Sequence, residues 1–290
     1  MIDFKYTAAS TLDEAVASLN SEQEVQILAG GTDIIVQLRE GHRRADVVLD
    51  VKKIPELQSV ELQPDGSLLI GAVVPCWKLY TDAAIAQHCP ALIDASKIIG
   101  GWQIQSRASV GGNLCNSSPA ADSITPLIVA DATALIFGPA GSREVPVAEF
   151  CTAPGRNILE RGELLTAIRI PSAGPKAGSA YQRFIPRNEM DIAVAGAASL
   201  VQLDESGQRI VAARIALAAV APVPVTAEEA SNWLAGQPAN EESFRHAGEL
   251  ARKVANPIDD MRGTAEYRVH LAGVLTQRTL AAACERAQGS

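Results

Sequence analysis

The stretch Ala29-Gly30-Gly31-Thr32-Asp33-Ile34-Ile35-Val36 decides how this chain is read, together with Ser109-Val110-Gly111-Gly112-Asn113 and the Ser118-Pro119-Ala120-Ala121-Asp122 run that follows it. Each glycine pair follows an apolar or mixed segment and leads into a turn of small polar residues. A glycine pair lets backbone N–H groups approach an anion where a Cβ would clash, and two successive N–H groups pointing one way form an anion nest. The run from Ile34 to Leu38 suits the opening of a helix, whose dipole would favour a phosphate at its start. One pair alone marks a turn. Two pairs in one chain, the second followed by Asn113 and Asp122, point to a dinucleotide gripped from two sides.

Around the first pair, Phe4-Lys5-Tyr6, Val25 to Leu28 and Asp46 to Asp50 read as strands. Thr11-Leu12-Asp13-Glu14 fits a capping box that opens a helix through about Leu19. The order is that of a small α/β lobe. Pro64-Asp65-Gly66 then marks a hairpin between Val60-Glu61-Leu62 and Leu68-Leu69-Ile70. Asp82 to Ile99 has a helical pattern divided at Pro90, and Ile124 to Ala130 is a further helix. Thr133 to Phe137, Glu144 to Val147 and Leu164 to Ile170 read as strands with no helix between the last ones, hence antiparallel neighbours. Ser172 to Gly178 has the composition of a linker. Beyond it, Ile192 to Leu203 and Ile210 to Val220 are long small-residue strands joined by the hairpin signal Asp204 to Gln208. Helices are expected from Ala227, with a capping box at Thr226-Ala227-Glu228-Glu229, from Glu242 and from Thr264. The fold class is therefore mixed α/β followed by an α+β unit.

With 290 residues and 47% hydrophobic residues the chain can bury substantial cores, although only 4% are aromatic. A net charge of -8 and the lack of a long basic run argue against nucleic acid as partner. Met1 to Lys5 lacks a basic region leading into an apolar core, so no signal peptide is expected. No apolar stretch approaches the ~20 residues that a membrane helix needs. The five cysteines (Cys76, Cys89, Cys115, Cys151, Cys284) stand singly, as suits reduced thiols in the cytoplasm. Neither they nor the four histidines have the grouping of an iron–sulfur or zinc site.

With these motifs in their order, the chain resembles the FAD-binding medium subunit of the molybdenum hydroxylases, the group of carbon monoxide dehydrogenase and xanthine dehydrogenase-like flavoprotein subunits. The resemblance runs over essentially the whole length. Besides the two glycine loops it rests on Arg187 to Ala193, Ala219-Val220-Ala221-Pro222 and Asp260 to Arg268. It implies a two-lobed FAD-binding domain of the PCMH/VAO type over residues 1–175, with lobes at about 1–58 and 59–175. A carboxy-terminal domain over 176–290, with a three-stranded antiparallel sheet and helices, would follow.

The resemblance also implies the site. Ala29, Gly30, Gly31, Thr32, Asp33, Ile34, Ile35 and Val36 would wrap the pyrophosphate, and Ser109, Val110, Gly111, Gly112 and Asn113 would meet it from the other lobe. Asp122 would accept hydrogen bonds from hydroxyls of the cofactor, and Ile99 and Leu165 would supply apolar surface near the ring. Arg183, a position often lysine in relatives, would sit beside a loop from about Phe184 to Ala193 that screens the isoalloxazine. No histidine or cysteine lies in the first glycine loop, so FAD is expected to be noncovalent, with Cys115 the thiol to check. The implied function is electron transfer without a catalytic residue or metal of its own. Molybdenum cofactor and 2Fe-2S clusters would lie on a large and a small partner subunit, as a dimer of heterotrimers.

Plainer readings compete residue by residue. Asp122 could cap the helix after it, Leu165 and Ile99 could be core, and Arg183 and Arg187 could be solvated or pair with Asp191 or Glu189. Trp102 reads as a core or interface residue. Two other functions compete as well: a cofactor-free assembly subunit, and a small-molecule kinase using Ser117-Ser118 after the second pair to hold ATP. The kinase lacks a companion lysine and magnesium carboxylates.

Overall fold

The computed structural model describes residues 3–289. β1 (Lys5–Ala8), α1 (Leu12–Leu19), β2 (Val25–Leu28), α2 (Ile34–Glu40) and β3 (Val47–Asp50) alternate, and the strands form a parallel sheet in the order β1-β3-β2. The central strand β3 is buried along its whole length, as its unbroken apolar run requires in a parallel sheet. Thr11 accepts a hydrogen bond from the Glu14 N–H, and the Glu14 carboxylate accepts one from the Ser10 N–H at 2.7 Å. The expected capping box is thus present, with its return bond one residue further back than usual. Gly41, left-handed at φ 77°, closes α2.

After a 3-10 turn at Pro55–Gln58, the hairpin β4 (Val60–Leu62) and β5 (Leu68–Gly71) leads into a helical stretch. It comprises α3 (Cys76–Thr81), α4 (Ala83–His88), α5 (Pro90–Ser96), α6 (Trp102–Gln105), α7 (Val110–Asn116) and α8 (Ile124–Val129). Pro90 opens α5, so the expected division falls there. Then come β6 (Thr133–Gly138), β7 (Gly141–Pro146), α9 (Val147–Phe150), the small hairpin β8 (Cys151–Ala153) and β9 (Arg156–Asn157), and β10 (Leu164–Ile170). The second sheet is antiparallel, in the order β4-β5-β10-β6-β7. Three details differ from the sequence reading. β7 and β10 are not neighbours, because β6 lies between them and pairs with both. Val147 starts the one-turn helix α9 instead of ending a strand, and this turn and the hairpin stand between β7 and β10. Pro146 supplies the break by which the chain leaves the sheet.

The last third holds β11 (Ala177–Phe184), β12 (Ala195–Leu203), β13 (Ile210–Ala218), β14 (Val225–Thr226), α10 (Glu228–Leu234), α11 (Glu241–Arg252) and α12 (Ala265–Gln288). Three long antiparallel strands carry the sheet, and the two-residue β14 extends it at one edge. Here the expected capping box at Thr226 is overturned. Thr226 pairs with Ala216 in the sheet, and α10 starts after Ala227 without a side-chain cap. Asn240 and Thr264 do cap α11 and α12.

The sheet of β11–β13 is covered on both faces. One face shares a core with α5 and α8, through Tyr181, Ala198 and Ala216, and the other packs on α10–α12. The approach is close: a Cβ on Gly178 would lie 2.2 Å from the Ala283 carbonyl oxygen of α12. This double burial accounts for the small-residue run Ala195-Gly196-Ala197-Ala198, in which the three alanines are wholly enclosed.

Candidate functional site

The first glycine loop runs from the end of β2 to the start of α2 and lies along α7, the helix formed by the second. At one end Gly30 abuts Arg107, where a Cβ would stand 2.1 Å from the Arg107 carbonyl oxygen, and Arg107 Nε donates to the Gly30 carbonyl at 3.4 Å. At the other end Asn116 Nδ2 donates to Asp33 Oδ1 at 3.3 Å, and Gln37 Nε2 donates to Asn116 Oδ1 at 3.1 Å. The two loops predicted to face one another are therefore brought together.

Within the first loop the backbone is open to a ligand. Among the described residues, the N–H groups of Gly30, Gly31, Thr32, Asp33 and Ile34 make no hydrogen bond; the first one used is that of Ile35, to the Gly31 carbonyl. Such a run of free donors is what a pyrophosphate requires. Gly31 sits at φ 83°, which a residue with a Cβ rarely adopts. Ile35 and Val36 are about half and two-fifths exposed, at 49% and 38%, beside these donors.

The second pair differs from the sequence reading. Gly111 and Gly112 lie inside α7, capped by Ser109, whose Oγ accepts from the Gly112 N–H at 3.0 Å. Gly111 is small because of its own fold: a Cβ there would lie 2.4 Å from the Ala72 carbonyl oxygen. Only Gly112 keeps open space, with nothing but Ser109 Oγ near its missing Cβ. Val110 closes the antiparallel bridge between Pro75 and Ser109, and Gly111 leaves its N–H without a partner at the helix start. Asn113 holds the next segment, since Ser123 Oγ donates to its Oδ1 at 2.6 Å. Ser117, left-handed at φ 48°, ends α7 and donates to the Leu114 carbonyl. It is a helix terminus, not a phosphate loop, which removes the basis of the kinase reading.

Beyond Asn113 lies Asp122, nearly enclosed at 6% exposure. Both its oxygens have protein partners: Tyr181 Oη donates to Oδ1 at 2.7 Å and Arg183 Nη1 to Oδ2 at 2.6 Å. Burial pushes its carboxyl up to about 6, against the opposing pull of Arg183 and Tyr181. The capping reading of Asp122 is overturned, because Ser123 is the residue before α8 and no side chain caps that helix. Arg183 pairs with Asp122, not with Asp191 or Glu189; Asp191 is the partner of Arg187 at 3.5 Å. Tyr181 was not legible as a site residue. It stands two positions before Arg183, so a strand over these residues puts both on one face, and that was the available signal.

Ile99 belongs to the Ile98–Gly101 turn, with Gly100 at φ 57°, and Arg183 Nη2 donates to the Ile98 carbonyl at 2.7 Å. Leu165 is a core residue at 4% exposure, opposite Ile136 beside a bulge in β10. Trp102 is 84% exposed, which excludes a place in the core of this chain. The loop from Phe184 to Ala193 folds over the Gly101 turn. Met190 Sδ would lie 3.2 Å from a Cβ on Gly101, and Arg187 fixes the loop by donating to the Met190 carbonyl at 2.7 Å. Burial pushes the Cys115 thiol up to about 12, with Cys151 adding to the effect, so it stays protonated. The five cysteines are free. Among the described residues no group of three or more His, Cys, Asp or Glu could hold a metal ion, and no helix is long and apolar enough to cross a membrane.

A parallel lobe and an antiparallel lobe that meet along two glycine segments, one of them lined with free backbone donors, define a dinucleotide-binding protein of the two-lobed class. Residues 2–173 match the family described as the FAD binding domain in molybdopterin dehydrogenase, and residues 179–283 match the CO dehydrogenase flavoprotein C-terminal domain. The chain belongs to the FAD-binding medium-subunit family of the molybdenum hydroxylases, and FAD is its cofactor. It is 34% identical over 292 residues to the xanthine dehydrogenase FAD-binding subunit of Escherichia coli O157:H7, covering 100% of this chain and 99% of that one. It is 30% identical to the carbon monoxide dehydrogenase medium chain of Hydrogenophaga pseudoflava, with 98% of each covered. A crystal structure of the Cu,Mo-CO dehydrogenase superposes with a TM-score of 0.93 at 31% identity, covering 99% of this chain and 100% of that one. These relatives are subunits of oxidoreductases.

Proposed function

We propose that this chain is the FAD-carrying electron-transfer subunit of a multisubunit molybdenum hydroxylase, receiving electrons from iron–sulfur clusters of a small partner subunit and passing them to an external acceptor. Molybdenum cofactor would sit on a large partner subunit, and the whole would be a cytoplasmic dimer of heterotrimers. The reading takes residues 1–175 as the FAD-binding domain, with lobes at about 1–58 and 59–175, and 176–290 as the carboxy-terminal domain. Support for the partners comes from the relatives, one of which is named as the medium chain of carbon monoxide dehydrogenase.

FAD, when bound, supplies the redox chemistry of its flavin ring. The residues present fit it, and the observation that carries the reading is the run of unpartnered N–H groups from Gly30 to Ile34. These donors would take the pyrophosphate oxygens, and the N–H of Gly111 would add to them from α7. Neutral backbone donors hold the anion without a basic side chain. Ile35, Val36 and Ile99 would offer apolar walls, and Leu165 would support them from the core behind. Asp122 would accept from the polar chain of the cofactor. The loop from Phe184 to Ala193 would exclude water from one side of the ring.

The test is an absorbance spectrum of the purified chain before and after acid precipitation. Flavin bands with FAD in the supernatant are the expected result. Bands that stay with the pellet would overturn the noncovalent assignment, and a chain that takes up no flavin would make it an assembly subunit instead.

A further inference from the structure

Tyr181 and Arg183 reach the site from outside the lobes that form it. Both lie on β11, in the sheet of β11–β13, whereas Asp122 and the Ile98–Gly101 turn belong to irregular segments around α7. Tyr181 is 3% exposed and the Arg183 side chain 6%. The third guanidinium nitrogen, Nε, is also enclosed, without a partner. What Tyr181 and Arg183 touch is the pair of segments assigned to the flavin half of the site: Asp122 through two bonds of 2.7 and 2.6 Å, and the Ile98 carbonyl through one of 2.7 Å.

We infer that Tyr181 and Arg183 are positioning residues: from the carboxy-terminal sheet they hold Asp122 and the Ile98–Gly101 turn where FAD needs them. The inference rests on the FAD site proposed above. A planar guanidinium can send two N–H groups to two diverging acceptors at once, which a lysine ammonium on a flexible stem does less well. The same geometry makes the strand β11 a part of the cofactor site. A second link ties β11 to α5 and α12: Asp94 of α5 accepts from the Tyr181 N–H at 3.1 Å and from Arg286 of α12 at 2.7 and 3.0 Å.

The experiment compares the flavin-loaded full chain with Tyr181→Phe, Arg183→Lys and Arg183→Met. FAD dissociation is read from the fluorescence of flavin released on dilution, and the flavin environment from visible circular dichroism. Arg183→Met is expected to weaken FAD by roughly tenfold or more, Tyr181→Phe by a few-fold, and Arg183→Lys to restore part of the loss because it keeps the charge. The visible dichroism should change in each variant at saturating FAD, a change that loss of fold stability alone does not produce. Wild-type affinity and dichroism in all folded variants would overturn the inference while leaving the FAD site intact. Should Arg183→Met not fold, Tyr181→Phe decides the matter by the same two readouts. A wild-type chain without affinity for FAD would overturn the site reading, and the inference with it.

Discussion

The two glycine pairs look alike in sequence and do opposite things in the fold. Gly30-Gly31 lies in an open loop: Gly30 lets that loop abut Arg107, Gly31 turns through a left-handed conformation, and five successive N–H groups stay free. Gly111-Gly112 is wound into α7, capped by Ser109, with Gly111 pressed on the backbone of Ala72. A Gly-Gly pattern therefore reports close approach of backbone without saying to what. In the first pair much of that freedom is left for a ligand; in the second, half of it is used to assemble the lobe.

The difference can be broken by substitution, beginning with the harshest. Gly111→Val would drive a branched side chain into the Ala72 backbone and is expected to cost about 3 kcal/mol or more of stability, read as a large drop in Tm in the presence or absence of FAD. Asp122→Ala would leave the buried Arg183 guanidinium without its carboxylate, a loss of about 3–5 kcal/mol for a broken buried pair. Chemical denaturation checks it, and a marginal change would mean that the pair is not buried as described. Gly31→Val forces a β-branched residue to φ 83°, at a strain of about 1–3 kcal/mol. This variant should fold, melt somewhat lower and lose FAD. Gly112→Ala is the mildest, because the new methyl meets only Ser109 Oγ. Helix propensity gains up to ~1 kcal/mol, so the Tm should stay level or rise while FAD affinity falls.

The Asp122 carboxyl gives a pH signature of the second region. Its folded value, near 6, lies above the ordinary carboxylate value of 3.8. The folded state therefore holds a proton that the unfolded state has already lost between those values, and stability from this group falls as pH rises from about 4 to about 6. The paired carboxylates of Asp50, Glu144 and Glu163 are held below their ordinary values and slope the other way. The contribution is thus measured as a difference: Asp122→Asn should remove a negative slope from the stability–pH curve over that window. Identical slopes in variant and wild type would contradict the burial of Asp122.

Local signals carried the fold where one interaction decides it. Thr11 and Glu14, Pro64-Asp65-Gly66, Pro90 and Gly207 each act within a turn, and α1, the β4–β5 hairpin, the α4–α5 break and the β12–β13 hairpin follow from them. α7 escaped notice because two glycines argue against a helix, and only packing on Ala72 and the Ser109 cap overrule that preference. β11 was hidden by the Ser172–Gly178 composition, which reads as linker but runs into the strand at Ala177. In the site, the approach of the two loops was legible from their pattern. The partnership of Asp122 with Tyr181 and Arg183 was not, because it joins residues distant in sequence through a sheet whose register no local signal sets.

The central claim is that the free N–H groups of the first loop hold FAD, and the flavin content of purified Gly31→Val beside wild type tests it most directly. The account predicts a folded variant, by far-ultraviolet circular dichroism and a cooperative melt, that carries little FAD while the wild type carries one per chain. A folded variant with wild-type flavin content would contradict it.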